Sequence, residues 1–315
     1  MSDESSPRII NLDHLAYLVV SGNDATKFLH AQFTNDLESL PVLHWQYTGY
    51  CTPKGRLLAF MIALKRGEND YLLIMDNSVM EKFQPRLSMF VMRDDVSIVR
   101  GDAGLRGVLH ALPDEWKDAH SPVPEPGEAS CHGNNCLLAI DAHRWLVIDE
   151  TGSSKDAASD SDSWIRQDIL AGIPTVTSAT QEAFVPQMVN LDLIGAVNFK
   201  KGCYPGQEVV ARVHYLGKIK QRMFYATIEE GGDVSAGDPV YSAAQPDKAA
   251  GTIVSVVADG GTALLAVLQT KAVAGGESLR LGSQEGPLLT LQELPYPIPD
   301  LAAGTEDTDE ADPQA

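Results

Sequence analysis

Residues 199–208, FKKGCYPGQE, set a cysteine directly after two lysines and a glycine, and follow it with a second glycine, an amide and a carboxylate. The thiolate is the reactive form of cysteine, and nearby cations or a helix N-terminus lower its pKa. Both influences are expected here. Lys200 and Lys201 precede Cys203, and PGQEVVAR predicts a helix start with Pro205 near the first turn and Glu208 placed to favour the helix dipole. Gly202 and Gly206 would let backbone N–H groups approach an anion closely. On these grounds two readings of Cys203 stand side by side: an activated thiol at an anion site, or a buried cysteine acting as a small hydrophobe.

The charge around this stretch runs against the rest of the chain. The whole sequence carries 24 Lys and Arg against 43 Asp and Glu, a net charge of −19. That balance argues against broad binding to nucleic acid or anionic membranes. Yet residues 198–222 hold Lys200, Lys201, Arg212, Lys218, Lys220 and Arg222 with Glu208 as their one acid. Residues 297–315 have six acids and no Lys or Arg, the composition of a disordered, solvating tail. Apolar runs such as CLLAI (136–140) and ALLAVL (263–268) are far too short for a membrane span. The start, MSDESSPRII, lacks a secretory pattern, and four irregularly spaced cysteines favour a reducing cytosol over a disulfide framework.

Working outward, LAYLVVSG (15–22) predicts a strand, and NDATKFLHAQFTNDL (23–37) a short helix capped by Asn23 or Asp24, with Phe28 and Leu29 inward. RLLAFMIAL (56–64) and YLLIMD (71–76) predict a hairpin. SVMEKFQPRLSMFVM (78–92) has helical apolar spacing, a capping box of Ser78 and Glu81, and a kink or early stop at Pro85. Residues 111–130 read as a proline-rich loop, 136–150 as a strand pair, and 151–162 as a flexible link. A helix then carries Trp164 and Ile169 and stops at Gly172 and Pro174. Beyond residue 223, short apolar runs between glycine turns predict a small barrel or sandwich. Hairpins mixed with isolated helices make the fold α+β, not a doubly wound parallel sheet.

Other chemistries find less support. A cysteine hydrolase needs a histidine within reach of Cys203, and spacing alone does not say whether His214 or another of the eight histidines supplies it. CHGNNC (131–136) matches no common zinc pattern, and no metal site is expected. Phosphate-binding glycine loops are missing. Trp164 is either a packing residue or a flat surface for a planar heterocycle.

FKKGCYPGQEVVAR resembles the signature of the YgfZ family, folate-binding proteins tied to tRNA modification and iron–sulfur enzyme maintenance. SGNDATKFLHAQFTNDL (21–37), TPKGRLLA (52–59), AGIP (171–174) and FVPQMVNLDLIGAVNFKKGC (184–203) resemble family blocks in the same order, so the likeness runs from about residue 10 to 290. It implies the three-domain fold of the glycine-cleavage T-protein, an aminomethyltransferase, built around a central folate channel and ending in a β-barrel. On that basis residues 1–222 form two interleaved α+β domains, 223–296 the barrel, and 297–315 the tail. The motif residues carried over are Lys201, Gly202, Cys203, Tyr204, Gly206, Gln207 and Glu208, with Cys203 and Lys201 as the working pair. Trp164, Lys200 and Arg212 become folate contacts, and tetrahydrofolate the cofactor. A second family tryptophan falls at Leu15, and the Asp–Asp pair of T-protein falls at Ala59 and Phe60, which exchange no proton. The resemblance therefore implies a cytoplasmic accessory factor for iron–sulfur enzymes, including tRNA-thiolating ones, with no direct nucleic-acid or membrane contact. A folate-dependent one-carbon transferase is the alternative, and a folate-free scaffold a third.

Overall fold

The computed structural model describes residues 6–149, 160–217, 219–229, 234–258 and 261–299. The chain opens with β1 (Arg8–Asn11), β2 (Leu15–Ser21) and α1 (Ala25–Gln32), followed by β3 (His44–Cys51), β4 (Leu57–Gly67), β5 (Asp70–Asp76), α2 (Asn77–Ser88) and β6 (Ser97–Arg100). Next come β7 (Gly104–Leu109), α3 (Asp114–Ala119), β8 (Ala129–His132), β9 (Asn135–Asp141), β10 (Arg144–Asp149) and α4 (Ser161–Leu170). A connection with one 3₁₀ turn, Pro186–Val189, leads to α5 (Gln207–Leu216). The last part holds β11 (Gln221–Ile228), β12 (Pro239–Ser242), β13 (Gln245–Val257), β14 (Thr262–Gln269), α6 (Thr270–Ala274), β15 (Leu279–Leu281) and β16 (Thr290–Gln292).

These elements make an α+β fold of three antiparallel sheets, ordered β3-β4-β5-β2-β6, β1-β7-β10-β9-β8 and β15-β12-β13-β14-β11-β16. The first two interleave in sequence, because β1 pairs with β7 across the whole of the first sheet. The near-continuous apolar runs of β4 and β5 have a direct cause: both faces of that sheet are covered. Ala59, Met61, Leu73 and Met75 pack under α1 and α2. Leu64, Leu72 and Ile74 pack against the second sheet together with Trp164. The third sheet curls into a half-barrel, and residues 287–292 bridge its gap. Leu281 N donates to Pro287 O and Leu289 N to Leu279 O, while β16 pairs with β11. One strand thus touches both edges, which leaves little exposed edge for stray pairing.

Several local readings are corrected. The α2 cap is Asp76, whose carboxylate accepts from Ser78 N at 2.9 Å, so the Ser78–Glu81 capping box does not form. Pro85 sits inside α2, and the helix stops at Ser88. The first helix ends at Gln32 because Phe33 turns to extended backbone. The stretch read as loop at 111–130 contains α3 and the first residues of β8. Helix α5 begins at Gln207 behind a left-handed Gly206, so Pro205 lies outside it. Cys131 and Cys136 face each other across the β8–β9 hairpin and are bonded, a disulfide that the cysteine spacing did not lead one to expect. The strand β11 spans the 222/223 boundary expected from sequence. Residues 151–159 of the expected link and 300–315 of the expected tail lie outside the described residues.

The block 184–203 holds the fold's parts together. Asn190 sits at φ 59 and its Nδ2 donates to Met223 O at 2.8 Å. Gln187 Nε2 donates to Val210 O at 2.6 Å, tying α5 down. Arg222, read from sequence as part of the basic cluster, is instead buried, with its guanidinium donating to both Asp192 oxygens at 2.7 and 3.1 Å and to Gln187 O at 2.9 Å. Breaking one half of a buried, hydrogen-bonded pair leaves an uncompensated charge. Arg222→Ala should therefore cost about 3–5 kcal/mol in urea unfolding; a loss under about 1 kcal/mol would show that water reaches Asp192 freely.

Candidate functional site

Two places carry the residues singled out above, and they are distinct. The first is a partly open cavity of ≈ 60 Å³ whose walls include Leu15, Tyr47, Phe60, Trp164, Asp168 and Thr175. Trp164 is both core and wall: it is 3% exposed. Its ring lies so close to Gly107 that a Cβ there would come within 2.4 Å of it. The Arg144 guanidinium carbon stands 5.4 Å from the centre of the same ring. Phe60 stacks on Tyr47 with centroids 5.2 Å apart. Ala59 is fully buried, and neither it nor Phe60 offers a carboxylate to the cavity. Leu15 lines the same cavity.

A carboxylate does reach this cavity from elsewhere. Asp168 follows Trp164 by four residues on α4, the spacing that puts two side chains on one helix face. Its Oδ1 accepts from Arg144 Nη1 at 2.7 Å, and Arg144 Nε donates to Asp141 at 2.6 Å. Burial pushes the Asp168 carboxyl up, with Arg144 pulling it down. Burial also raises the Tyr47 phenol, and Asp168 adds to that. His14 stands in the same field, its pKa lowered by burial against the pull of Asp168. Its buried Nδ1 has no hydrogen-bond partner among the described residues. Reading the sequence missed Asp168, Arg144 and His14. The spacing of four from Trp164 was the available signal for Asp168 alone.

The second place is the Cys203 loop, and none of Lys200, Lys201, Cys203 and Arg212 lines the cavity. The sulfur is free and exposed. Lys201 turns back to the end of α1, where its Nζ donates to His30 O and, at 2.5 Å, to Phe33 O. It also lies 5.1 Å from the centre of the buried Tyr204 ring. Lys201 and Cys203 interact electrostatically. Gln207 N donates to Tyr204 O at 3.1 Å, and its Nε2 reaches Lys201 O at 3.4 Å. Glu208 occupies the exposed first turn of α5. Gly206, at φ 83, lies against the turn at 52–55, where a Cβ would come within 2.4 Å of Thr52 O. Gly202 has ordinary φ and neighbours His30. Lys200 and Arg212 are exposed. His214, the histidine nearest in sequence, stacks on Phe199 at 3.7 Å instead.

The segments of family likeness meet at this loop. Thr34 Oγ1 donates to Ala196 O at 2.8 Å and accepts from Gly49 N at 2.7 Å. Asn35 Nδ2 donates to Tyr47 O and Gly195 O, both at 2.8 Å. Blocks far apart in sequence are thus stitched into one support for Cys203.

Among known proteins, the tRNA-modifying protein YgfZ of Edwardsiella ictaluri is 30% identical over 305 residues, covering 91% of this chain and 92% of that one. The chain belongs to the YgfZ family. The protein of the same name from Serratia proteamaculans is 27% identical over 314 residues, covering 92% of each chain. No family model matches. Among solved structures, glycine cleavage system aminomethyltransferase T from Bartonella henselae superposes with a TM-score of 0.70, covering 92% of this chain and 86% of that one at 10% identity. The T-protein fold expected from the motif is therefore present. Among the described residues, no helix is long and apolar enough to cross a membrane, and no group of three or more His, Cys, Asp and Glu is arranged to hold a metal.

Lys201 gives this site a measurable pH signature. Burial lowers its ammonium from 10.5 to about 8, against the opposing pull of Asp36, Glu38 and Cys203. A folded-state value below the unfolded one means that the unfolded chain holds the extra proton in this window, so the penalty is full below about pH 8 and fades as pH rises toward 10.5. Wild-type stability, measured against Lys201→Met, should therefore improve between pH 8 and 10. A difference that stays flat across that range contradicts this account of Lys201.

Proposed function

We propose that this chain is a folate-binding accessory factor that supports iron–sulfur enzymes, among them enzymes that thiolate tRNA. The observation that carries the folate part is the aromatic cavity of Trp164, Tyr47 and Phe60 with the Asp168 carboxyl at its edge. This set suits a planar heterocycle that stacks on aromatic faces and donates hydrogen bonds along one edge. The cavity's ≈ 60 Å³ is below the roughly 300–1,000 Å³ of ordinary ligand pockets, so a bicyclic ring enters by parting these walls. A ligand as long as folate extends beyond the cavity that its ring fills. Lys200 and Arg212 offer charge-assisted contacts for its anionic glutamate tail. Bound folate would supply a one-carbon or redox-active pterin; the chain's own contribution is to bind and orient it.

In this reading Cys203 is the working thiol and Lys201 anchors the loop that presents it. Residues 1–222 hold the folate, and the barrel of 223–296 braces them. The protein acts in the cytoplasm on partner enzymes, without gripping nucleic acid or membrane itself. A one-carbon transferase is the second reading, favoured by the Asp168 carboxyl beside the cavity. The Arg144 bond occupies that carboxyl, which weighs toward the accessory role.

Isothermal titration with tetrahydrofolate should show binding, weakened in Trp164→Phe by less than the roughly 1–3 kcal/mol that loss of a whole stacking ring costs. No heat of binding with wild type leaves a folate-free scaffold. In cells, Cys203→Ala should fold and bind folate yet fail to sustain iron–sulfur enzyme activity. Complementation equal to wild type removes the thiol from the function. Turnover of a methylated or aminomethyl donor with tetrahydrofolate would establish the transferase instead.

A further inference from the structure

Helix α5 carries a face that none of the described residues covers. Arg212, Tyr215 and Leu216 stand at the spacing of three and four that aligns side chains on one side of a helix, and all three are exposed. The opposite side is the one that packs: Val210 is fully buried, and its carbonyl accepts from Gln187. Leu216 is 84% exposed and Tyr215 64%, so the end of the helix holds an apolar tip out in water. A single exposed leucine means little, but here the apolar surface continues. The Tyr215 ring meets the His214 ring edge-on at 4.7 Å, and His214 stacks on Phe199 at 3.7 Å.

The surroundings of this tip are cationic. Lys200 follows Phe199 directly, Arg212 lies one turn before Leu216, and Lys220 follows the helix; all are exposed. Exposed Lys54 joins them from the 52–55 turn, whose Gly55 packs so closely on α5 that a Cβ there would come within 2.9 Å of Val209 Cβ. Among the described residues, none of these four cations has a carboxylate partner. Four unpaired cations strung along one helix stand out on a chain of net charge −19. Glu208, in the first turn, is the acid of the same helix face.

Cations around an apolar tip select a partner by two effects. Charge steers an acidic surface toward the helix, while the acidic remainder of the chain repels it elsewhere. Burial of the exposed tyrosine and leucine then holds it. We propose that this face of α5 docks a partner protein that presents an apolar side chain flanked by carboxylates. Tyr215 and Leu216 receive the apolar side chain, and Lys54, Lys200, Arg212 and Lys220 meet the carboxylates. Nucleic acid fits less well: Phe199 and His214 already stack on each other, aliphatic Leu216 offers no plane for a base, and the net charge opposes a polyanion. The inference rests on the accessory reading and gives its partner enzymes a place to sit, on the helix that Cys203 immediately precedes in the chain.

The probe is a fluorescent peptide of Asp and Glu flanking a central Leu-Phe pair, compared with the same peptide carrying Asn and Gln instead; anisotropy reads its binding to the full chain. No folate is present, so the carboxylates met by Lys200 and Arg212 come from the peptide alone. The acidic peptide should bind about tenfold more tightly at low salt, and the advantage should shrink at about 0.5 M salt. Tyr215→Ser combined with Leu216→Ser should weaken it about tenfold, as loss of a central anchor does. Lys54→Glu combined with Lys220→Glu should erase the preference for the acidic form. All four side chains are exposed, so neither double variant should shift the urea midpoint. Equal affinity for the two peptides overturns the proposal, as does undiminished binding to the Tyr215→Ser, Leu216→Ser chain. Single-stranded RNA that binds more tightly through these residues overturns it in favour of a nucleic-acid site. A dimer seen in sedimentation that this same variant loses overturns it in favour of a second copy. In cells the variant should lower iron–sulfur enzyme activity while its tetrahydrofolate titration matches wild type. Full activity of this variant beside a failing Cys203→Ala removes the docking face and leaves the accessory reading standing. Complementation by Cys203→Ala removes the thiol, and the peptide result then stands on its own.

Discussion

An α-helix ends in carbonyls that have no partner within it. In this protein, His30 O in the last turn of α1 and Phe33 O just beyond it are taken by one ammonium, that of Lys201. That interaction decides where the Cys203 loop sits. It satisfies acceptors that would otherwise lie half-buried without donors, and it turns the lysine away from the ligand-facing role its sequence position suggested. Around it, Thr34 and Asn35 thread hydrogen bonds into residues 195–196, and Gly206 lies against the 52–55 turn. A surface cysteine is usually as mobile as the loop that carries it. Here the backbone on both sides of the exposed cysteine is tied down, by Lys201 before it and Gly206 after it.

Much of the architecture was legible because it follows from periodicity. The β4–β5 hairpin, α4 with its glycine stop and the all-β end all lie where apolar spacing and turn residues put them. Errors came where a side chain outcompeted a pattern. Asp76 took the cap that Ser78 and Glu81 seemed to share, and Phe33 left the helix to bridge to Tyr50. The site was less legible. Charge in the 198–222 segment looked like one cluster, yet Arg222 is neutralised inside the fold by Asp192, thirty residues away. His30 and Arg144 reach their places only through tertiary contacts, which no spacing along the chain encodes.

The separation of the aromatic cavity from the thiol shapes how the molecule can work. Cavity and loop share the strands of the first sheet: β3 supplies Tyr47 to one and, through Gly49, the Thr34 bond to the other. The cavity wall and the support of the Cys203 loop are therefore tied to one strand. Such a shared element is what coupling between two sites requires physically.

The end of the described chain has a role beyond closing the half-barrel. Tyr296 donates its hydroxyl to Gly172 O at 2.7 Å and meets Asn190 as well. Gly172, held at φ 66, runs directly into Ile173, Pro174 and Thr175 of the cavity wall. Tyr296 thus braces the segment that forms one wall of the cavity. A side chain 124 residues further on therefore fixes the backbone that follows α4, so the half-barrel and the cavity wall are mechanically one piece.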